Sequence, residues 1–315
     1  MKKNIKVLGC GVSGLSVAVT LLEAGYSVEI ITEKLPQNTT SAKAAAIWFP
    51  YEVSPVEKAN LWSKESYAKY LELQKIPDSG VSDVSITVLA NASAAPWWFD
   101  SVPSGKVRKA EPAELIAGVS EGYVVNVPLA ETQLYLEYLL DRFRSLDGRL
   151  TIKKVSSLTE LQSPDSLIVN CAGLGSRDLT GDKELYPIHG QIVKVDPTIE
   201  ARCIAADFLY GNSDGDVAYI VPRKDCIVLG GTAIKGIEDT TPNPEFTEGI
   251  IERCKVLEPR LKDVKIQSVS VGLRPGRSEI RLERVGDVIH NYGHGGGGFT
   301  VSWGCAYEVK RLIEN

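Results

Sequence analysis

IKVLGCGVSGLSVAVTLLEAGYSVEIITE, Ile5 to Glu33, is the stretch from which the rest of the chain is read. It opens with a short apolar run closed by glycine. Val12 to Gly25 then sets apolar residues at helical spacing and stops at a glycine suited to a C-terminal cap, and Ser27 to Glu33 is rich in β-forming residues. Strand, tight turn, helix and strand make a βαβ unit. Gly9, Gly11 and Gly14 form G-x-G-x-x-G where the first strand meets the helix, the context that separates a dinucleotide fingerprint from a chance match. Gly9 permits the turn, Gly11 lets a pyrophosphate approach the backbone, and Gly14 lets helix and strand pack closely. Val12 and Ser13 open the helix, whose N-terminus offers oriented N–H groups and partial positive charge. Glu33 ends the second strand about twenty residues on, placed to accept from ribose hydroxyls, with Lys34 beside it. The fingerprint alone does not separate NAD from FAD.

Two textures follow. DSLIVNCAG, Asp165 to Gly173, reads as a second buried parallel strand, and LYLEYLLDRFRSL, Leu134 to Leu146, as an amphipathic helix before it. APWWFD, EGYVVNVPL, GQIVKVD, AYIVPRKDCIVLGGTAI and IQSVSVGLRP instead alternate and are broken by Pro, Asp and Gly, as antiparallel strands are. The expected fold is α/β and discontinuous: a Rossmann-like nucleotide-binding domain from residues 1–50, 135–185 and 265–315, and a mostly antiparallel, mixed-sheet substrate domain from 51–134 and 186–264. A length of 315 residues suits two domains better than one core.

Composition narrows the function classes. A net charge of -5 with scattered Lys and Arg argues against nucleic-acid binding. No apolar stretch is long enough to span a bilayer, and glycines interrupt the N-terminal run without a cleavage site, so no membrane association and a cytoplasmic location are expected. The six cysteines form no C-x-x-C pair and read as reduced core residues. There are only three histidines, His189, His290 and His294, and the last two lie in the Gly-rich loop without a carboxylate at ligand spacing, which argues against a metal site.

GLRPGRSEIRLE, Gly272 to Glu283, followed by VIHNYGHGGGGFTVSWGCAYE, Val288 to Glu308, resembles the C-terminal signature of the D-amino-acid oxidase family, which includes D-aspartate oxidases. TTSAKAAAIWFPY, VNCAGLGS, GQIVKVD and YIVP before VLGGT extend the resemblance, in order, along the whole chain. The resemblance implies non-covalent FAD, with its isoalloxazine ring between the two domains. Thr39, Thr40 and Ser41 would lie near the phosphates and flavin, Ala45, Ala46 and Ile47 beside the ring, Val155 against adenine, and Gly173 in the cofactor cradle. Gly295, Gly297 and Gly298 would run against the flavin where a Cβ would collide. N–H groups near Phe299 and Thr300, with the last helix's dipole, would face the flavin's pyrimidine edge as negative charge develops there. Ala46 stands where family members often have glycine, and Gly297 where they often have tyrosine or serine.

For the substrate, the resemblance assigns the α-carboxylate to Arg274, whose planar fork donates two parallel hydrogen bonds. It assigns a second donor to Tyr219, the amine acceptor to the Gly296 carbonyl, and the mobile covering tyrosine to Tyr210, although GNSDGDVA (residues 211–218) departs from the family spacing. The implied reaction is oxidative deamination of a D-amino acid by hydride transfer from Cα to flavin N5, with dioxygen as electron acceptor, giving a 2-oxo acid, ammonia and hydrogen peroxide. It requires no general base, because a neutral amine's lone pair drives hydride departure. D-aspartate oxidases commonly carry an arginine just after the Gly-Gly-Thr strand end, where this chain has Ala233, so neutral substrates are expected. Arg223 and Lys235 are the cations that could replace that arginine. A D-aspartate oxidase and a glycine- or sarcosine-type amine oxidase are the alternatives. Homodimers are common in the family, but no apolar stripe here identifies an interface.

Overall fold

Residues 5–33 form β1 (Asn4–Leu8), α1 (Val12–Glu23) and β2 (Val28–Thr32), with β1 and β2 parallel and Ile5 opposite Val28. The helix ends as its sequence dictates. Gly25, at φ +77°, donates to the Leu22 carbonyl and Tyr26 to the Leu21 carbonyl, the paired bonds of a Schellman cap whose left-handed residue is glycine. The computed structural model describes residues 4–50, 53–90, 96–206 and 215–315.

The chain divides into two units, one of Met1–Ser82, Ala130–Tyr186 and Arg274–Asn315, the other of Asp83–Leu129 and Pro187–Leu273. Numbered along the chain, the first unit also holds α2 (Val56–Leu73), α3 (Thr132–Ser145), β6 (Arg149–Ile152), β7 (Ser166–Asn170), short α4 (Ser176–Thr180), β14 (Arg281–Val285), β15 (Val288–Tyr292) and α6 (Gly298–Glu314). Its six-stranded sheet runs β14-β15-β7-β1-β2-β6. All pairs in it are parallel except β14 with β15 at one edge. Every residue of β7 is buried, as expected of a strand covered on both faces. Helix α1 is buried from Leu15 through Leu21. Helices α2 and α6 cross so closely at Gly304 that an added Cβ would fall on the backbone of Trp62. Glycine there sets the helix separation.

The second unit contains β3 (Val81–Ala90), β4 (Val107–Lys109), β5 (Glu121–Ala130), β8 (Tyr186–Val195), β9 (Cys203–Ala205), β10 (Asp216–Pro222), β11 (Ile227–Thr232), β12 (Ile234–Lys235), α5 (Pro244–Leu257) and β13 (Ile266–Gly276). These strands form a nine-stranded sheet. Pairs β10–β11, β9–β10, β8–β11, β8–β12 and β4–β5 are antiparallel, while β3–β9 is parallel. The sheet is therefore mixed and mostly antiparallel, as the alternating segments predict, except APWWFD, where Trp97–Ser101 form a short 3-10 helix after Pro96 instead of a strand. Its core joins Val193, Ile204, Ile220 and Leu229 to Ile250, Cys254 and Leu257 of α5. Asn243 starts α5 by accepting from the N–H groups of Glu245 (2.8 Å) and Phe246 (3.4 Å), with Pro244 in the first turn, a combination that satisfies helix-end donors and removes one.

Among the described residues, no helix is long and apolar enough to cross a membrane. All six cysteines are free and buried.

Candidate functional site

At Gly9 and Gly14 the fold leaves no room for a side chain. Gly9 has φ +104°, and a Cβ there would lie 2.5 Å from the Cys171 carbonyl oxygen; one at Gly14 would fall on the Gly9 carbonyl. A Cβ at Gly11 would approach Ser41 Oγ to 3.0 Å and Thr39 Oγ1 to 3.9 Å. The loop carrying Thr39 to Ser41 thus lies over the start of α1, and the Val12 N–H donates to Ser41 Oγ at 3.0 Å. Gly11, the N-cap of helix α1, has no side chain to cap it, and the first turn carries no acidic residue. Its positive end therefore faces the loop without a competing carboxylate, which suits a pyrophosphate.

A second helix start lies beside the first. Helix α6 also lacks a side-chain cap and a first-turn acid, and a Cβ built on Gly298 would stand 4.0 Å from Val12 Cγ1. Two positive helix ends, one at Val12 and one at Gly298, are thereby brought together in the first unit. The pair fits a dinucleotide carrying charge at two places.

The residues expected to meet adenine and its ribose lie around β2. Glu33 is exposed just beyond it, and Thr32 Oγ1 donates to the Lys34 carbonyl at 2.9 Å, turning the chain at the strand end. Val155 packs against the cluster formed by Leu8, Ile31, Leu161, Ile168 and Val288. Beyond β7, Asn170 Oδ1 accepts from the Ala172 N–H (3.2 Å) and Ser176 Oγ (3.1 Å). That holds the turn containing Gly173, where a Cβ would meet nothing within 4 Å.

Ala46 adopts φ +53°, a conformation costing a residue with a Cβ about 1–2 kcal/mol, which is a physical reason for glycine to suit this place. Its neighbours Ala45 and Ile47 are half-buried. Thr300 Oγ1 donates to the Phe49 carbonyl at 2.7 Å and accepts from the Phe49 N–H at 3.1 Å. Two residues of α2 that sequence reasoning missed also hold this end of α6. Ser66 Oγ accepts from the N–H groups of Trp303 (3.1 Å) and Gly304 (2.9 Å), and Tyr70 Oη donates to the Phe299 carbonyl at 3.1 Å. Burial pushes the Tyr70 hydroxyl up to about 12, opposed by hydrogen bonds from Ser302 and Tyr135. Tyr70 therefore acts as a neutral donor.

The expected substrate residues are distributed between the units. Arg274 is half-buried on β13, where the first unit resumes, and Gly296 is exposed in the turn Gly295–Gly297 that precedes α6. Tyr219 lies on β10 in the second unit, opposite Gly230 of β11. Tyr210 lies outside the described residues. His290 and His294 are buried and pushed down to about 4, by burial in both cases and additionally by Arg281 for His290. Both are neutral near pH 7. Neither offers the protonated partner or near-neutral pKa of a tuned acid–base catalyst.

Residues 4–312 match the family described as FAD dependent oxidoreductase. The chain is 41% identical over 314 residues to a D-amino-acid oxidase of Rubrobacter xylanophilus, covering 97% of this chain and 94% of that protein. It is 34% identical to a human D-aspartate oxidase, covering 98% and 94%. A crystal structure of glycine oxidase from Geobacillus kaustophilus superposes with a TM-score of 0.82 at 17% identity, over 99% of this chain and 95% of that one. The last likeness is one of fold.

Proposed function

Because the chain belongs to the FAD dependent oxidoreductase family, we propose that it is an FAD-dependent D-amino-acid oxidase that prefers neutral substrates. The observation that carries the reading is the near-full-length identity to a D-amino-acid oxidase, with Arg274 standing in GLRP and the glycine loop standing before α6. Discontinuous residues of the first unit are the FAD-binding domain, and those of the second the substrate-binding domain.

In this reading Val12, Ser13 and Gly11 receive the pyrophosphate with Thr39, Thr40 and Ser41, Glu33 accepts from the ribose, and Val155 supports adenine. Ala45, Ala46 and Ile47, with Gly295, Gly297 and Gly298, border the flavin, and the N–H groups of Phe299 and Thr300 stabilise charge developing there. FAD, when bound, supplies a hydride acceptor that dioxygen reoxidises. Arg274 and Tyr219 hold the substrate carboxylate, and the Gly296 carbonyl accepts from the amine, so that Cα–H is presented in one orientation. Rate enhancement then comes from positioning and electrostatics rather than from proton transfer to a side chain. The products are a 2-oxo acid, ammonia and hydrogen peroxide. A cytoplasmic location and a homodimer accompany this reading by resemblance alone.

The test is anaerobic. The purified yellow protein is mixed with D-alanine, L-alanine, glycine and sarcosine while flavin absorbance is followed. Bleaching by D-alanine and not by L-alanine is expected. Bleaching by glycine or sarcosine alone would replace this reading with an amine oxidase of the glycine type.

A further inference from the structure

Asp182 follows α4, and its side chain is only 6% exposed. Oδ2 accepts from Arg277 Nε at 3.1 Å and from Tyr292 Oη at 2.9 Å, while Oδ1 accepts from the Glu184 N–H at 3.0 Å. Arg281 Nη1 lies 3.7 Å from the same Oδ2 and donates to Tyr292 Oη at 2.8 Å. One carboxylate thus ties the segment after β13, strand β14 and the end of β15 together. Burial works against its charge, but hydrogen bonds from Tyr292, the Glu184 N–H and Arg277 outweigh that and keep the carboxyl below its usual range.

Arg277 does more than form an ion pair. Its side chain lies against the α-carbon of Gly293: a Cβ on that glycine would stand 2.9 Å from Arg277 Cβ and 3.1 Å from Cδ, and Gly293 has φ +83°. The guanidinium is fixed further by the Glu279 carbonyl (3.0 Å) and Glu184 Oε2 (3.3 Å). The chain leaves β15 at this point and enters the glycine turn. Arg277 comes three residues after Arg274, and Gly293 three before Gly296. A buried charge cluster is a weak source of stability compared with apolar packing, because desolvation offsets the Coulomb gain. What it supplies is fixed geometry between two short segments.

We propose that Arg277, Asp182 and Tyr292 are positioning residues that set the separation of the Arg274 guanidinium from the Gly296 carbonyl, selecting ligands with a carboxylate and an amine on one carbon. The proposal rests on the roles given above to Arg274 and Gly296. A ligand with only a carboxylate has no amine to place on the Gly296 carbonyl, so it is indifferent to that separation.

The difference supplies the experiment, performed on holoenzyme with Asp182→Asn and the milder Tyr292→Phe. The KM for D-alanine should rise about tenfold in the first and about threefold in the second, since small misplacements of oriented groups are costly. The inhibition constant of propionate, a carboxylate without an amine, should stay within about twofold. The Kd for FAD, measured by quenching of flavin fluorescence on reconstitution, should be unchanged. Arg277→Lys should recover part of the loss seen in Arg277→Met. A parallel rise in D-alanine KM and propionate inhibition constant, weakened FAD binding, or no change in either ligand would each overturn the positioning role. Wild-type protein that oxidises no D-amino acid would overturn the functional reading and this proposal with it.

Discussion

Tyr219 lies directly across the β10–β11 ladder from Gly230, and its ring occupies the space that a side chain at Gly230 would need. The strands beneath are held from α5. Arg253 donates from Nη2 to the Gly231 carbonyl at 3.1 Å and from Nε to the Val217 carbonyl at 3.3 Å, and it pairs with Asp216 at 3.0 Å. The ring is therefore seated on backbone that cannot readily yield. Gly230→Ala should displace Tyr219 and raise the KM for D-alanine on the order of tenfold, about 1.4 kcal/mol, without reducing FAD content. An unchanged KM would show that the Tyr219 hydroxyl does not contact substrate.

Arg274→Leu tests the carboxylate assignment directly. Leucine removes both guanidinium donors while leaving the α1 start and the Thr39–Ser41 loop untouched. A charged hydrogen bond whose partner would otherwise be buried unpaired is worth roughly 2 to 5 kcal/mol, or roughly thirtyfold to several thousandfold in kcat/KM. FAD content after gel filtration should remain stoichiometric. Near-wild-type efficiency would remove Arg274 from the site.

How far the sequence reached depends on which physical constraint each element obeys. The βαβ unit, its Schellman glycine and the fingerprint were legible because a turn, a cap and a close approach each demand a residue type at a fixed spacing. The buried strand Ser166–Asn170 was legible from its continuous apolar run, and β10 and β11 from their bounded alternation. The residue-specific roles at the site came from the family resemblance. Ser66 and Tyr70 were invisible because polar residues on an amphipathic helix read as its solvated face, and their partners in α6 lie more than 200 residues along the chain. Asp182 was invisible for the same reason, its bond to Tyr292 joining residues 110 apart. Arg277 lay inside a quoted motif, yet nothing in a linear pattern states that its side chain lies against Gly293.

Acid should destabilise the fold well before its carboxylates protonate. His290 and His294 stay neutral in the folded protein down to about 4, whereas in the unfolded chain each takes a proton near pH 6.5. Between those values the unfolded state binds more protons, so stability is lost as pH falls from 6.5 to 4, by about 1.4 kcal/mol per pH unit for each histidine once well below its unfolded pKa. Asp182, with its carboxyl held below the ordinary range, adds loss only at lower pH. Thermal unfolding of holoenzyme in excess FAD should show Tm falling between pH 6.5 and 4.5. His294→Gln should make that fall shallower. A flat profile, or equal slopes in the two proteins, would refute the assignment of acid sensitivity to these histidines.

In the proposed reading, substrate preference turns on charge in the second unit. Ala233 follows the β11 strand end, half-buried, with its N–H donating to the Gly215 carbonyl at 2.6 Å, and it has no charge to offer the second carboxylate of D-aspartate. Burying that carboxylate unpaired costs at least several kcal/mol in a dry pocket, on the order of a hundredfold or more in efficiency. Of the two cations that could compensate, Arg223 sits at the opposite end of the ladder: its N–H donates to the Cys226 carbonyl at 2.8 Å, closing the β10–β11 turn. The whole of β11 separates that turn from Ala233, roughly 23 Å at the usual strand rise. Lys235 is nearer, exposed on β12 opposite Ile188, and its long stem could carry an ammonium some distance. At one pH, kcat/KM should therefore be higher for D-alanine, D-methionine and D-valine than for D-aspartate. A preference for D-aspartate would overturn the neutral-substrate reading, and its loss in Lys235→Met would identify Lys235 as the source of the missing charge.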